Sequence, residues 1–136
     1  MKRILLISTI CALAICEDYY TIWEGDYGTW NNTIDATKGY YACGASLRVE
    51  SDQGSKKDDT AANGLKLKYC SSEDWTKSSW VTIEEGSYGD WSSSECSQDY
   101  FINGAQVRYE SPQDDEDDTA LNGLKITCKN VDTLLS

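Results

Sequence analysis

Two tryptophans lie beside acidic and amide side chains, an arrangement typical of sugar recognition. Trp30 ends the stretch EGDYGTW, and Trp91 ends the closely similar stretch EGSYGDW. An indole ring can stack on the C–H face of a sugar while polar neighbours bond its hydroxyl groups. The candidate glycan-binding residues are these rings and four carboxylates: Trp30, Trp91, Glu50, Glu110, Asp59 and Asp118. The alternative, which we favour, is that each tryptophan closes one end of a sheet.

The carboxylates do not predict a catalytic pair. A glycoside-processing enzyme needs two carboxyl groups about 5–10 Å apart, one of them with a raised pKa. Asp59 and Asp118 suit Asx-type turns, whereas Glu50 and Glu110 suit the solvated face of a strand. The sequence has no histidine, no GxSxG and no P-loop, so it supports neither the common hydrolase chemistries nor kinase chemistry. We therefore assign no catalytic residue and no cofactor.

The acidic run DDEDD at 114–118 is the strongest metal candidate. Several carboxylate oxygens could hold Ca²⁺, but the run lacks the spaced ligands of an EF-hand loop. A solvated acidic loop is the favoured interpretation, and no metal site is predicted. The cysteines do not suggest zinc either, because there is no histidine and no CxxC spacing.

An internal repeat positions all of these residues. The pairs EGDYGTW and EGSYGDW, YYACGASLRVES and YFINGAQVRYES, and DDTAANGLKLKYC and DDTALNGLKITC follow the same order at an offset of about 60 residues. Repeat one spans 22–70, a linker spans 71–82, repeat two spans 83–128 and a tail spans 129–136. We treat 17–136 as a single domain, because its length suffices for one modest core.

Each repeat has the pattern of antiparallel β-strands. Apolar residues alternate with polar ones at Ala45, Leu47 and Val49 and at Ala105, Val107 and Tyr109. Period two with one apolar face predicts half-buried antiparallel strands. Asn63-Gly64 and Asn122-Gly123 are interpreted as sharp turns with positive φ, leading into the next strand. The fold class is therefore all-β.

The first 16 residues resemble a secretory signal peptide. A basic start is followed by an apolar run from Ile4 to Ile15, too short for a comfortable membrane span, and cleavage is placed after Cys16. No later segment is predicted to cross a membrane. The protein is therefore expected outside the cell. Asn31, in the sequon Asn31-Asn32-Thr33, is a predicted N-glycosylation site.

The charge balance restricts the partners. The chain has 12 basic and 23 acidic residues and a net charge of −11. Loss of Lys2 and Arg3 with the signal peptide lowers the net charge to −13. Such a surface repels phosphate backbones and anionic lipid, so nucleic acid and anionic membranes are excluded as partners. Coat or matrix proteins, cations and neutral oligosaccharides stay open.

Four cysteines follow the signal peptide, and an even number in a secreted chain predicts two disulfides. Cys96–Cys128 would close repeat two on itself, and Cys43–Cys70 is the favoured pair in repeat one. Four cysteines allow three pairings, and the sequence alone does not choose among them.

The motifs GSYGDW, VRYES and DDTALNGLKITC, with GDYGTW, LRVES and DDTAANGLKL in repeat one, resemble the vitelline membrane outer layer protein family. The resemblance implies a β-prism of antiparallel Greek-key sheets. It also implies an extracellular coat protein and, for the family, transferase activity on N-acetylchitooligosaccharides. The family has three repeats and this chain has two, so one side of the prism would be open and a homodimer is a possible outcome.

The predicted function is a structural or interaction protein of an extracellular coat. A glycan-binding module with a chitooligosaccharide-like ligand is the alternative, and weak glycosyl transfer follows only from the resemblance. Saturable sugar binding would separate the glycan-binding module from the coat protein.

Overall fold

The computed structural model of the chain describes residues 29, 33–51, 62–109, 121–130 and 132. They contain six strands: β1 (Tyr40–Val49), β2 (Ala62–Ser71), β3 (Ser78–Glu85), β4 (Asp90–Glu95), β5 (Tyr100–Tyr109) and β6 (Leu121–Asn130). Every strand pair is antiparallel. The predicted all-β class is therefore confirmed. The predicted signal peptide at 1–16, the predicted glycosylation site at Asn31 and the acidic run at 114–118 lie outside the described residues.

The first four strands form one sheet in the order β3-β2-β1-β4. Three consecutive strands are joined as neighbours, and the fourth returns to pair with the first, which is the Greek-key arrangement. Strands β5 and β6 form a separate two-stranded sheet. All six strands belong to one compact unit, Thr33–Ser136.

The boundaries of the sequence repeats do not coincide with those of the sheets. Strands β1 and β2 come from repeat one, whereas β3 begins in the linker and ends in repeat two, and β4 comes from repeat two and completes the same sheet. Hairpin β5–β6 copies hairpin β1–β2 closely. Arg48 lies opposite Gly64, and Arg108 lies opposite Gly123, with register shifts at equivalent positions in both hairpins. A sheet therefore combines strands from two successive repeats.

The predicted apolar face is buried on one sheet and open on the other. Ala45 and Leu47 on β1 are buried, whereas Val107 and Tyr109 on β5 are 62% and 69% exposed. Residues of β1, including Leu47, and of β6, including Leu124, line a shared cavity of about 220 Å³. The alternating apolar residues of β1 are therefore covered, whereas those at the end of β5 are open to solvent.

The small core surrounds a disulfide. Cys43 and Cys70 are fully buried, and Phe101 of β5 is 2% exposed beside them. The Phe101 ring has edge-on contacts with Trp75 at 5.4 Å and with Tyr41 at 5.3 Å between centroids. Aromatic pairs of this geometry add to the free energy gained by burial. Phe101 thus packs β5 against the disulfide of the four-stranded sheet.

Both favoured disulfides are present. Cys43–Cys70 joins β1 to β2, and Cys96–Cys128 joins the end of β4 to β6. The Cys96–Cys128 bond lies within repeat two, as expected, but its two ends lie in different sheets. Because β4 belongs to the four-stranded sheet, this bond ties the two sheets together.

Within the linker, the residues between β2 and β3 form a tight turn. The Oγ atom of Ser71 accepts hydrogen bonds from the backbone N–H groups of Glu73 and Asp74, at 3.2 and 3.3 Å. Asp74 Oδ1 accepts from the hydroxyl of Thr76 at 2.6 Å and from its N–H at 3.1 Å. Bonds of this kind favour the ionised carboxylate, and the Thr76 hydroxyl lowers the pKa of Asp74 most.

We expect Thr76→Val to raise the pKa of Asp74, because the strongest donor to its carboxylate is removed. A carboxyl ¹³C NMR titration measures this shift directly. Lys77→Met is the control and should raise the pKa less, since Lys77 contributes less to lowering it. A larger shift in Lys77→Met would contradict this ranking. The lowered pKa stabilises the turn above the ordinary aspartate pKa, and this stabilisation is lost as the pH falls through the lowered value.

No helix within the described ranges is both long enough and apolar enough to cross a membrane.

Candidate functional site

Residues 85–91, which connect β3 to β4 and are called the Trp91 turn here, form the most elaborate polar and aromatic arrangement on the described strands. Glu85, Gly64, Arg48 and Trp91 lie side by side across β3, β2, β1 and β4. The Trp91 ring reaches over its neighbouring strand to Gly64. A Cβ atom at Gly64 would lie only 2.7 Å from Cη2 of the ring. Glycine is therefore required at this place by the tryptophan rather than by the turn.

This contact corrects the interpretation of the Asn-Gly pairs. Asn63-Gly64 and Asn122-Gly123 lie within β2 and β6 and do not have positive φ. Among the described glycines, only Gly39 and Gly89 have positive φ. The expected sharp turns were wrong, because both glycines lie in extended strands, and at Gly64 the missing Cβ makes room for the Trp91 ring.

Two cations lie against the Trp91 ring. Lys66 Nζ is 3.9 Å from the ring centroid, and Arg48 Cζ is 5.9 Å from it. Both distances fall within the range of cation–π attraction. The lysine also lies 3.8 Å from Glu85, so its ammonium group is held between a carboxylate and the ring. A sugar that stacked on this face of the ring would have to displace Lys66.

Arg48 holds the turn between β3 and β4. Its Nε donates to the carbonyl of Gly89 at 2.9 Å, its Nη1 to Gly86 at 2.6 Å and its Nη2 to Ser87 at 3.2 Å. The Glu85 carboxylate lies 3.6 Å from Nη1. Because the guanidinium has five donors in a rigid fork, one side chain can fix three carbonyls at once.

The backbone also approaches the turn closely. The N–H of Gly86 donates to the carbonyl of Asn63 at 2.5 Å. Gly89 has φ of 89°, and a Cβ atom there would overlap the carbonyl of Val49. Tyr88, at the tip, is 60% exposed. The result is a rigid turn that presents one tyrosine to solvent.

The structure describes two of the six predicted glycan-binding residues. Trp91 lies on β4 and is half-buried, and Glu50 directly follows β1 and is also half-buried. Trp30, Glu110, Asp59 and Asp118 lie outside the described residues.

Sequence reasoning missed Arg48 and Lys66 as partners of Trp91. The signal was available, because both recur in the second repeat as Arg108 and Lys125. Long cations commonly occupy the solvated face of a strand, so residue type and spacing alone do not mark these two side chains as partners of a ring. No group of three or more metal-binding side chains occurs within the described part of the chain.

A second, polar cleft opens beside β3. It has a volume of about 390 Å³ and is lined by residues that include Asp35, Tyr40, Tyr69, Lys77 and Ser79. Two phenol rings with hydroxyl, ammonium and carboxylate neighbours can bond sugar hydroxyls. Of the two places, this cleft leaves more room for a small glycan than the covered Trp91 ring.

The fold, the disulfides and the repeated turn define a class. The model of the family "Vitelline membrane outer layer protein I" matches residues 20–133, and the chain belongs to this family. The chain is 32% identical over 111 residues to the vitelline membrane outer layer protein 1 homolog of Homo sapiens, covering 81% of this chain and 55% of that protein. The protein of the same name from Mus musculus is 32% identical over 108 residues, covering 78% and 53%.

The chain thus spans about half the length of the curated relatives that it matches. No solved structure matches it. The all-β sheets are consistent with the β-prism that the resemblance implies.

Proposed function

We propose that this protein is a secreted structural component of an extracellular coat of the vitelline membrane outer layer type. The observation that most supports this proposal is the Trp91 turn, where the charged and aromatic side chains bind one another and the backbone of the turn. Arg48 binds three turn carbonyls, and Lys66 covers the ring. Family membership, two disulfides and a net charge of −11 support a durable, soluble coat protein.

The test is incorporation into a coat. The full chain is expressed in a eukaryotic secretory host, the secreted form is labelled, and its retention by washed acellular egg coat is measured by sedimentation. We expect saturable retention that weakens with salt, because an acidic surface binds basic coat proteins electrostatically. Retention no greater than that of an unrelated protein of equal charge would overturn the proposal. N-terminal sequencing should find Glu17, and loss of mass on glycosidase treatment should depend on Asn31.

The second candidate function is glycan binding, which the polar cleft at Tyr40 and Tyr69 favours. Titration with chitooligosaccharides, followed by tryptophan fluorescence, tests this candidate. Because Lys66 already covers the Trp91 ring, we expect Trp91→Phe to leave any fluorescence response to the sugar intact. A saturable response that is lost in Tyr69→Ala, but kept in Trp91→Phe, would support a sugar site in the cleft. A response lost in Trp91→Phe would support the originally predicted site. Trp30→Ala is tested in the same titration, because Trp30 is the other tryptophan of the predicted glycan-binding set.

The open apolar face supports self-association as part of the same proposal. Val107 and Tyr109 are both largely exposed on β5, and exposed apolar patches commonly mark protein contacts. Sedimentation equilibrium of the secreted protein should show a dimer that Val107→Lys weakens. A monomer at all concentrations would remove this part of the proposal. We propose no enzymatic step, since no catalytic residue is assigned.

A further inference from the structure

Tyr88 lies at the exposed tip of the Trp91 turn. It is 60% exposed, and its ring forms no aromatic pair with another residue of the described ranges. Of the tyrosines that the structure describes, Tyr88 alone lies between strands rather than within one. The backbone of a strand is held by its neighbours, whereas the tip of a turn projects from the sheet and can enter the active site of a modifying enzyme. Tyr88 is therefore the described tyrosine best placed for covalent modification.

The charged residues that flank Tyr88 along the chain are all acidic. Glu84 and Glu85 precede it by four and three residues, and Asp90 follows it by two. All three are exposed, and the stretch 78–107 contains no lysine or arginine. An enzyme that transfers an anionic group binds its donor with basic residues, and these attract a tyrosine that has carboxylate neighbours. The charge pattern therefore favours transfer of an anionic group to this phenol.

The two cations beside the turn are largely covered. The side chains of Arg48 and Lys66 are 21% and 26% exposed. Arg48 binds the carbonyls of Ser87 and Gly89, on either side of Tyr88. These bonds hold the backbone on both sides of the tyrosine and leave the tyrosine itself exposed. The folded turn can therefore present Tyr88 without local unfolding.

Two other exposed tyrosines lack part of this combination. Tyr109 is 69% exposed, but it lies within β5 and directly follows Arg108. Tyr100 follows Asp99, but it lies within β5 as well and is 41% exposed. Tyr88 combines a position between strands, high exposure and acidic neighbours.

We propose that Tyr88 is a tyrosine O-sulfation site, modified as the protein passes through the secretory pathway. This rests on the secretion that the proposed function includes. The phenol oxygen attacks the sulfur of a mixed phosphate–sulfate anhydride donor. A phenol O–S bond forms and the S–O bond to the donor phosphate breaks. The phosphate leaves with the electron pair, and the phenol proton passes to a base of the transferring enzyme. The added negative charge strengthens attraction to a basic coat protein.

Mass spectrometry of the secreted full chain tests the proposal. The chain is expressed in an animal cell line that sulfates a co-expressed reference peptide, and the tryptic peptide 78–108 is examined after reduction. We expect the peptide to carry the added mass of one sulfate group, which mild acid removes and alkaline phosphatase does not. Tyr88→Phe should lose this mass, whereas Tyr100→Phe, the matched control within the same peptide, should keep it. Asp90→Asn should lower the sulfated fraction severalfold, because a flanking carboxylate is removed.

Several results would overturn the proposal. A secreted chain whose peptide 78–108 has its unmodified mass would do so, as would an added mass that alkaline phosphatase removes or that persists in Tyr88→Phe. An undiminished sulfated fraction in Asp90→Asn would contradict the role given to the acidic neighbours. A chain that is retained in the cell would overturn the proposed function as well, which distinguishes the two failures. If Tyr88→Phe fails to fold, fragmentation of the peptide from the unsubstituted chain locates the sulfate directly.

Discussion

Replacing Gly89 with alanine is expected to lower the free energy of unfolding by about 4 kcal/mol. Two effects combine at this residue. A positive φ costs an L-residue about 1–2 kcal/mol, and the new Cβ would overlap the carbonyl of Val49, which is backbone and cannot rotate away. The turn would have to shift, and the hydrogen bond from Arg48 Nε would be disturbed. Urea unfolding monitored by tryptophan fluorescence measures the loss.

Gly39 provides a matched control for this prediction. It has φ of 84°, nearly the same as Gly89, but a Cβ there would meet nothing within 4 Å. Gly39→Ala should therefore cost only the conformational part, about 1–2 kcal/mol. Equal losses for the two variants would show that the close approach to Val49 has no energetic weight.

The second large effect is expected from the buried disulfide. Replacing Cys43 and Cys70 together with alanine should lower the free energy of unfolding by about 4–5 kcal/mol. Most of this is the entropy that the cross-link removes from the unfolded chain, about 3–4 kcal/mol for a loop of this length. The remainder comes from the space left beside Phe101, because both cysteines are fully buried.

The Cys96–Cys128 pair separates these two contributions. Its sequence separation is 32 residues, against 27 for Cys43–Cys70, so loop closure alone predicts nearly equal losses. Since Cys128 is only half-buried, its removal leaves less unfilled space in the core. The Cys96/Cys128 double variant should thus lose about 1 kcal/mol less. A larger loss would mean that tying the sheets together outweighs core packing.

Much of the fold could be predicted because a half-buried β-strand shows a local alternation of apolar and polar residues. Ala45 and Leu47 follow period two, and the structure buries both. The repeat also showed which hairpins would be alike. Pairing across the sheet could not be predicted in the same way, because β3 and β4 pair with strands of the preceding repeat. No local pattern distinguishes this partner from one within the same repeat.

The candidate site shows a different limit. Trp91 was predicted as a candidate glycan-binding residue, but its role depends on which side chains lie over its ring. Lys66 lies 25 residues away in sequence and on a strand that does not neighbour β4, so only the sheet order brings the two together. Gly64 was noticed as part of an Asn-Gly pair and assigned the conformation that such pairs usually adopt. A ring from a distant strand explains the residue better.

Because one sheet contains strands from both repeats, a chain cut between the repeats would keep that sheet as a contact between its two fragments. A cut in the turn before β3, near Thr76, leaves Cys43–Cys70 in one piece and Cys96–Cys128 in the other. Neither disulfide crosses the cut, yet β2 still pairs with β3 and β1 with β4 across it. The two fragments would be held without a covalent bond, by the backbone ladders, the Arg48 hydrogen bonds and the packing of Phe101, and could separate and recombine. The halves of such a cut chain are therefore expected to complement each other by re-forming the shared Greek-key sheet.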